Sequence, residues 1–299
     1  MNTRTALVLG LLITGSVSFE APHAMALLTP GPLDVSSAPN TQTAPAVAWS
    51  PVCNSYLVVW QDKRNNLDDD IFGAYVNNDG TAILGTFNLT AARAGNQRLP
   101  SVAWQPNRKF LVVWEDDVAG NRDIYGREID CIKTLGPIGA IASDPSDQKA
   151  PDVACVYGKC WVVWEDLRGG TLDIYGQRVE PGMVFDGVNT RISAVAAPGA
   201  QNAAAIAAND RPDAGCSLYS WMSTWSDARN LATTGLNIWD QQLADLGVCG
   251  GNLPVYEGTA DQYSPDIAHG NGALPADDAT TWTFGKVRRG ASPLSVRLV

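Results

Sequence analysis

The stretch VVWEDLRGGTLDIYG, residues 162–176, gathers two carboxylates (Glu165, Asp166), a guanidinium (Arg168), a Gly-Gly turn and a further acid, Asp173. Acids set beside an arginine are the equipment of acid–base chemistry. Glycoside hydrolysis in particular needs two carboxyl groups about 5 to 9.5 Å apart across the scissile bond. A catalytic set, however, occurs once in a chain, and this one recurs. Asp166 is matched by Asp62, Asp116 and Asp227, Arg168 by Arg64 and Arg229, and Asp173 by Asp70, Asp123 and, as an amide, Asn237. Residues that return with every repeat do what every repeat needs, which here is to tie a tight loop and pair its charges. The acids outside the pattern are Asp68, Asp69 and Asp117. None of them carries a mark of a raised pKa, so no catalytic residue is assigned.

The elements that would position these groups follow from the same repeats. Trp60, Trp114, Trp164 and Trp225 recur roughly every 50–60 residues, a period typical of stacked or radial all-strand arrays. Upstream of each copy stands a Gln-x-x-Pro start or its remnant, beginning at Gln42, Gln97, Gln148, Gln201 and Gln262. Each unit divides into four strand-like runs, as in PAVAW, YLVVWQD, DIFGAYV and TAILGTFNLT. Their Val, Ile, Trp and Tyr content and turns such as NNDG predict antiparallel strands joined by hairpins. Along VVWED, Val162 and Trp164 share one face and Val163 the other, so both faces of the sheet must be covered. Sheets packed around a ring meet that need. The expected fold is an all-β, five-bladed β-propeller of four-stranded antiparallel blades. TPGPLDVSSAPNTQ (29–42) aligns with the fourth strand of a unit yet precedes any first strand. It is therefore expected to close the ring by pairing with the last blade near Leu294–Val299.

The repeat resembles those of secreted bacterial β-propellers, and more loosely the TolB-type propeller repeat, whose second half reads arginine, a Gly-rich turn, then Asp-Ile-Tyr. The matching residues are Arg168, Gly169, Gly170 and DIY at 173–175, with NRDIY at 121–125. The Ser-Pro-Asp-Gly turn of TolB-type repeats is absent, so no Tol-like partner is carried over. The five-unit count also resembles tachylectin-type lectins and five-bladed glycosidases, at the level of fold only.

Residues 1–26 read as a secretory signal peptide: Arg4, the apolar run ALVLGLLITGSVS and an AMA cleavage site. The run is well short of the ~20 residues of a membrane span. The propeller then occupies 27–299, and the location is secreted or periplasmic. A net charge of −10 excludes nucleic acid and anionic lipid as partners. Six cysteines in an oxidising compartment predict three disulfides, with the pairs Cys155–Cys160, Cys216–Cys249 and Cys53–Cys131. No cofactor or metal is assigned, and a monomer is expected.

First strands lie nearest a propeller's axis, so the glutamines should ring one mouth of the channel. Their amides, with donors and acceptors alike, and the varied residues that follow them suggest a constant frame with variable tips. Gln42, Gln97, Arg98, Gln148, Lys149, Gln201, Gln262 and Tyr263 are the expected ligand-binding residues. The resulting reading is a secreted binding or adhesion module that takes a glycan or a protein surface. Glycoside hydrolysis by loop carboxylates is the alternative.

Overall fold

The computed structural model describes residues 32–91, 93–194, 198–209, 220–256, 261–269, 282–289 and 292–298. The proposed signal peptide lies outside them. The first sheet runs β1 (Gln42–Ser50), β2 (Ser55–Asp62), β3 (Asp70–Asn77) and β4 (Ile83–Asn88) in plain meander order. The second repeats it with β5 (Gln97–Gln105), β6 (Lys109–Asp116), β7 (Asp123–Asp130) and β8 (Gly139–Ala142). The third has β9 (Gln148–Val156), β10 (Lys159–Asp166), β11 (Asp173–Glu180) and β12 (Val184–Arg191). The fourth has β13 (Gln201–Asn209), β14 (Ser220–Asp227), β15 (Asn237–Ala244) and β16 (Gly247–Tyr256), with a one-turn helix α1 (Leu231–Thr234) between β14 and β15. A three-stranded sheet follows, with β17 (Asp266–His269), β18 (Trp282–Arg289) and β19 (Ser292–Leu298).

Second strands carry the core because both of their faces are covered. On β10, Val162 and Trp164 pack toward the second sheet while Trp161 and Val163 pack toward the fourth. Trp164 is fully buried, and truncating such a side chain costs about 3–5 kcal/mol. First strands neighbour one another in succession, β1 to β5 to β9 to β13 to β17, and β1, β5, β9 and β13 line a common space, the axial channel.

The Gln-x-x-Pro start has a definite backbone job. The second residue after each glutamine is left-handed: Ala44 (φ 49°), Leu99 (48°), Ala150 (48°), Ala203 (54°) and Ser264 (53°). The ladders shift register across this point, a β-bulge. The turned-out N–H is then caught by the sheet before. Leu99 N donates to Gln61 Oε1 at 3.4 Å, Ala150 N to Glu115 Oε1 at 2.8 Å, Ala203 N to Glu165 Oε1 at 2.7 Å and Ser264 N to Ser226 Oγ at 3.1 Å. Each repeat is thus latched to its predecessor.

Disulfides join Cys53 to Cys131, with Cα atoms 5.2 Å apart, and Cys155 to Cys160 across the β9–β10 hairpin. Cys249 is also disulfide-bonded, whereas Cys216 lies outside the described residues.

Among the described residues the expected closing strand is not formed. Residues 33–41 carry no strand, and β19 pairs with β18 alone among the described residues. Pro32 and Pro39 frame this segment, and a proline cannot donate to a ladder. Val35 packs instead against Trp60 and Phe72 on the outer face of the first sheet. The structure therefore shows four four-stranded sheets and one three-stranded sheet, not five complete blades.

Candidate functional site

The repeated acid–arginine cluster is an anchor. Trp60, Trp114, Trp164 and Trp225 each donate their indole N–H to the aspartate two residues on, at 2.7, 3.0, 2.8 and 2.9 Å. The same carboxylates accept the backbone N–H of Arg64, Val118, Arg168 and Arg229. Arg64, Arg168 and Arg229 also grip them in a two-point pair and lie over Phe72, Tyr175 and Trp239. In the second sheet Val118 stands where the arginine should be, and Arg93 reaches in from elsewhere to pair with Asp116 and cover Tyr125. Asp62, Asp116, Asp166 and Asp227 are buried. Burial opposes ionisation of Asp62, but hydrogen bonds from Arg64 and Trp60 outweigh it and hold its pKa below the usual range. The partner acids Asp70, Asp123 and Asp173 are pushed up by burial. Nothing in this cluster is open to a substrate.

The glutamine ring is equally internal. Gln97, Gln148, Gln201 and Gln262 are buried, and Gln42 half-buried. Gln97 Nε2 donates to Ala94 O at 3.1 Å, Gln148 to Ser146 O at 2.5 Å, Gln201 to Gly199 O at 2.7 Å and Gln42 to Asn40 O at 2.9 Å. The amides of these four fold back on the loop that leads into their first strand. Arg98 pairs with Asp69 at 3.1 Å and Asp117 at 3.7 Å, and Lys149 faces Glu165 at 4.0 Å. Tyr263, an uncharged tip, is exposed. Of the unrepeated loop acids, Asp69 and Asp117 serve Arg98, Asn96 and the loop backbone, and Asp68 bonds Asn65.

Two further acids on the first strands are ones that the repeat pattern did not single out. The residue four places after each glutamine is Ala46, Ser101, Asp152, Ala205 or Asp266. Asp152 and Asp266 therefore hold equivalent positions on β9 and β17. Asp152 keeps partial contact with the channel while protein surrounds it. Its Oδ1 accepts from Ser101 Oγ at 2.7 Å and its own neighbour Val153 N at 2.9 Å, and its Oδ2 accepts from Ile206 N at 2.9 Å. Three successive first strands thereby hold one carboxyl group. Burial raises its pKa, and the charge of Asp266 pushes the same way, against the three hydrogen bonds. Asp266 is exposed. Beside Asp152 a cavity of about 320 Å³ is walled by Pro45, Pro100, Pro151, Ser101 and Asp152 itself. The signal was present in the aligned starts QKAPDVAC and QYSPDIAH, where an acid replaces alanine or serine. Burial also raises the pKa of Glu115, but that side chain latches Ala150 and is closed off.

No family model and no curated protein matches the chain. Solved structures do. The chain is similar to an endo-arabinase from Bacteroides thetaiotaomicron at 16% identity and TM-score 0.50, over 85% of this chain and 92% of that one. It is similar to an α-L-arabinanase from Penicillium chrysogenum complexed with arabinobiose at 14% identity and TM-score 0.50, over 77% and 66% of the two chains. An α-L-arabinofuranosidase from Fusarium graminearum with an iminosugar inhibitor matches at 10% identity, TM-score 0.50, over 77% and 66%. These neighbours are carbohydrate-cleaving enzymes by name, and four of the five glutamines on which the binding or adhesion reading stood, Gln42, Gln97, Gln148 and Gln201, donate to backbone. That reading is corrected accordingly. The likeness supports a propeller-like fold without singling out the TolB-type repeat. At such identities it is one of architecture, and the chain is an all-β protein of successive four-stranded antiparallel sheets with a propeller-like fold.

Proposed function

We propose that the chain is a glycoside hydrolase whose reaction centre is the Asp152–Asp266 pair at the mouth of the axial channel. The observation that carries the reading is the break in symmetry: two carboxylates at equivalent positions of the first strands, where the other repeats have alanine or serine, in a protein whose loop aspartates Asp62, Asp116, Asp166 and Asp227 repeat as anchors. Two acids whose environments differ are suited to opposite roles. Asp152, enclosed and with its pKa raised by burial, is the general acid that protonates the glycosidic oxygen. The Ser101 hydroxyl can turn from donor to acceptor as that proton comes and goes. Asp266, exposed in the channel, either activates a water or attacks the anomeric carbon, according to the separation of the two groups. The walls of proline and alanine exclude water from the bond being cleaved without offering charge.

The ring is read as five-bladed, with β17–β19 as the last blade, and the leader and disulfides favour work outside the cytoplasm. The names of the structural neighbours make arabinan the first substrate to try. Reducing-sugar release from linear arabinan should occur with the wild type and be lost in Asp152→Asn and Asp266→Asn. Undiminished release by Asp266→Asn, or none by the wild type from arabinan or other neutral polysaccharides, would overturn the reading.

A further inference from the structure

The channel has a second mouth. Beyond the level of Val153 the first strands open into a cavity of about 470 Å³, lined by Trp49 on β1 and Trp104 on β5 and by Cys155 and Ala208 at the equivalent positions of β9 and β13. Alanines fill most of the remaining wall. This level lies three residues past Asp152, about 10 Å at about 3.3 Å per strand residue. The two mouths are therefore separate places on one axis.

The cavity is lopsided. Two successive strands carry indoles and the next two carry small side chains. Each indole is braced by an aromatic ring of its own sheet, Trp49 by Tyr56 with centroids 4.7 Å apart and Trp104 by Phe110 at 4.9 Å. Their orientation is thus fixed before any ligand arrives. Trp49 nonetheless remains 38% exposed. The first strand of every sheet is also an edge strand. Alternate N–H and C=O groups along it face the channel with no ladder partner among the described residues.

Indole faces fringed by backbone donors and acceptors suit a ligand with one apolar face and a belt of hydroxyls. A sugar ring has that shape of chemistry: its C–H face lies on the indole and its hydroxyls meet the strand edges. A purely apolar ligand would bury those backbone groups unsatisfied, at a cost of about 1–3 kcal/mol each. The described residues of the wall carry no ionisable side chain with which a charged ligand could pair. We propose that this mouth is an accessory site for a neutral sugar unit. The inference goes beyond the hydrolysis reading and stands whether or not Asp152 and Asp266 are catalytic.

Tryptophan emission titrated with arabinobiose and, separately, with cellobiose tests it. At least one of the two should give a saturable change in the wild type with a Kd on the order of 1 mM. The same change should appear in Asp266→Asn. Trp49→Ala should weaken binding at least tenfold. Ala208→Trp, which fills the cavity from the opposite wall and removes nothing from the core, should do the same at an unchanged Tm. No saturable change with either disaccharide, or one that survives both substitutions, overturns the proposal. No hydrolysis by the wild type, with its titration intact, would fell only the catalytic reading.

Discussion

The loops between second and third strands and the axial ends of the first strands are both rich in acid, and they differ in one respect. The loop acids come four times over and the axial acids only twice. Asp62, Asp116, Asp166 and Asp227 have the same indole donor, the same backbone donor and an arginine across an aromatic ring. Where the second sheet lacks the local arginine, Arg93 supplies it from another segment. A charge retained by such a detour is there for the sheet. Asp152 and Asp266 have alanine or serine as their counterparts, so the fold does not require an acid at that position. In a repeat protein, recurrence marks what holds the unit together and its interruption marks where chemistry can be added.

Five substitutions test that contrast, in descending order of effect. Asp152→Asn or Asp266→Asn should lower kcat on arabinan by about a thousandfold or more. Asp266, being exposed, should leave Tm within about 2 °C of the wild type, and a large fall in Tm there would assign it to the scaffold.

Asp166→Ala should act in the opposite manner. It strands the Trp164 N–H and the Arg168 guanidinium and should cost about 3 kcal/mol, seen as a fall in Tm of roughly 10 °C. Activity per folded molecule should hold. If activity falls while Tm does not, the anchor is a site.

Asp240 comes next. It stands where the other sheets have Gly73, Gly126 and Gly176, and at Gly176 a Cβ would come 2.6 Å from Ile192 Cδ1. Burial pushes its pKa up to about 6. Its folded pKa thus exceeds the unfolded value. The stability it contributes is full below about pH 4 and is lost as pH rises through about 6, a swing of about 2–3 kcal/mol. Several other acids with raised pKa slope the same way, so the informative quantity is a difference. Tm measured from pH 4 to 7.5 should decline less in Asp240→Asn than in the wild type, and parallel curves would exclude the effect.

The smallest change concerns a latch. Glu165→Gln keeps the acceptor for Ala203 N, as Gln61 does for Leu99 N in the first sheet. Chemical denaturation should show a difference within about 1 kcal/mol.

Periodicity determined the strands, the meander order within each sheet and the structural role of the loop aspartates. These are local properties, set by side chains that alternate along a strand and by a turn that must be tied in every copy. The pairing of Cys53 with Cys131 and of Cys155 with Cys160 was legible for the same reason, since the meander fixes which turns share an end. Three things depended on tertiary placement. The glutamines read as a displayed ring because each opens a first strand, but the chain turns at a bulge two residues on, and the amides of Gln42, Gln97, Gln148 and Gln201 point into their own loops. The N-terminal segment has the sequence of a fourth strand, yet its prolines leave it to pack through Val35 on Trp60 and Phe72. Asp152 looks in sequence like any surface acid of a Pro-rich start. Only the approach of Ser101 and Ile206 from two other strands encloses it, because a carboxyl group's pKa is decided by what surrounds it in space and not by its neighbours along the chain.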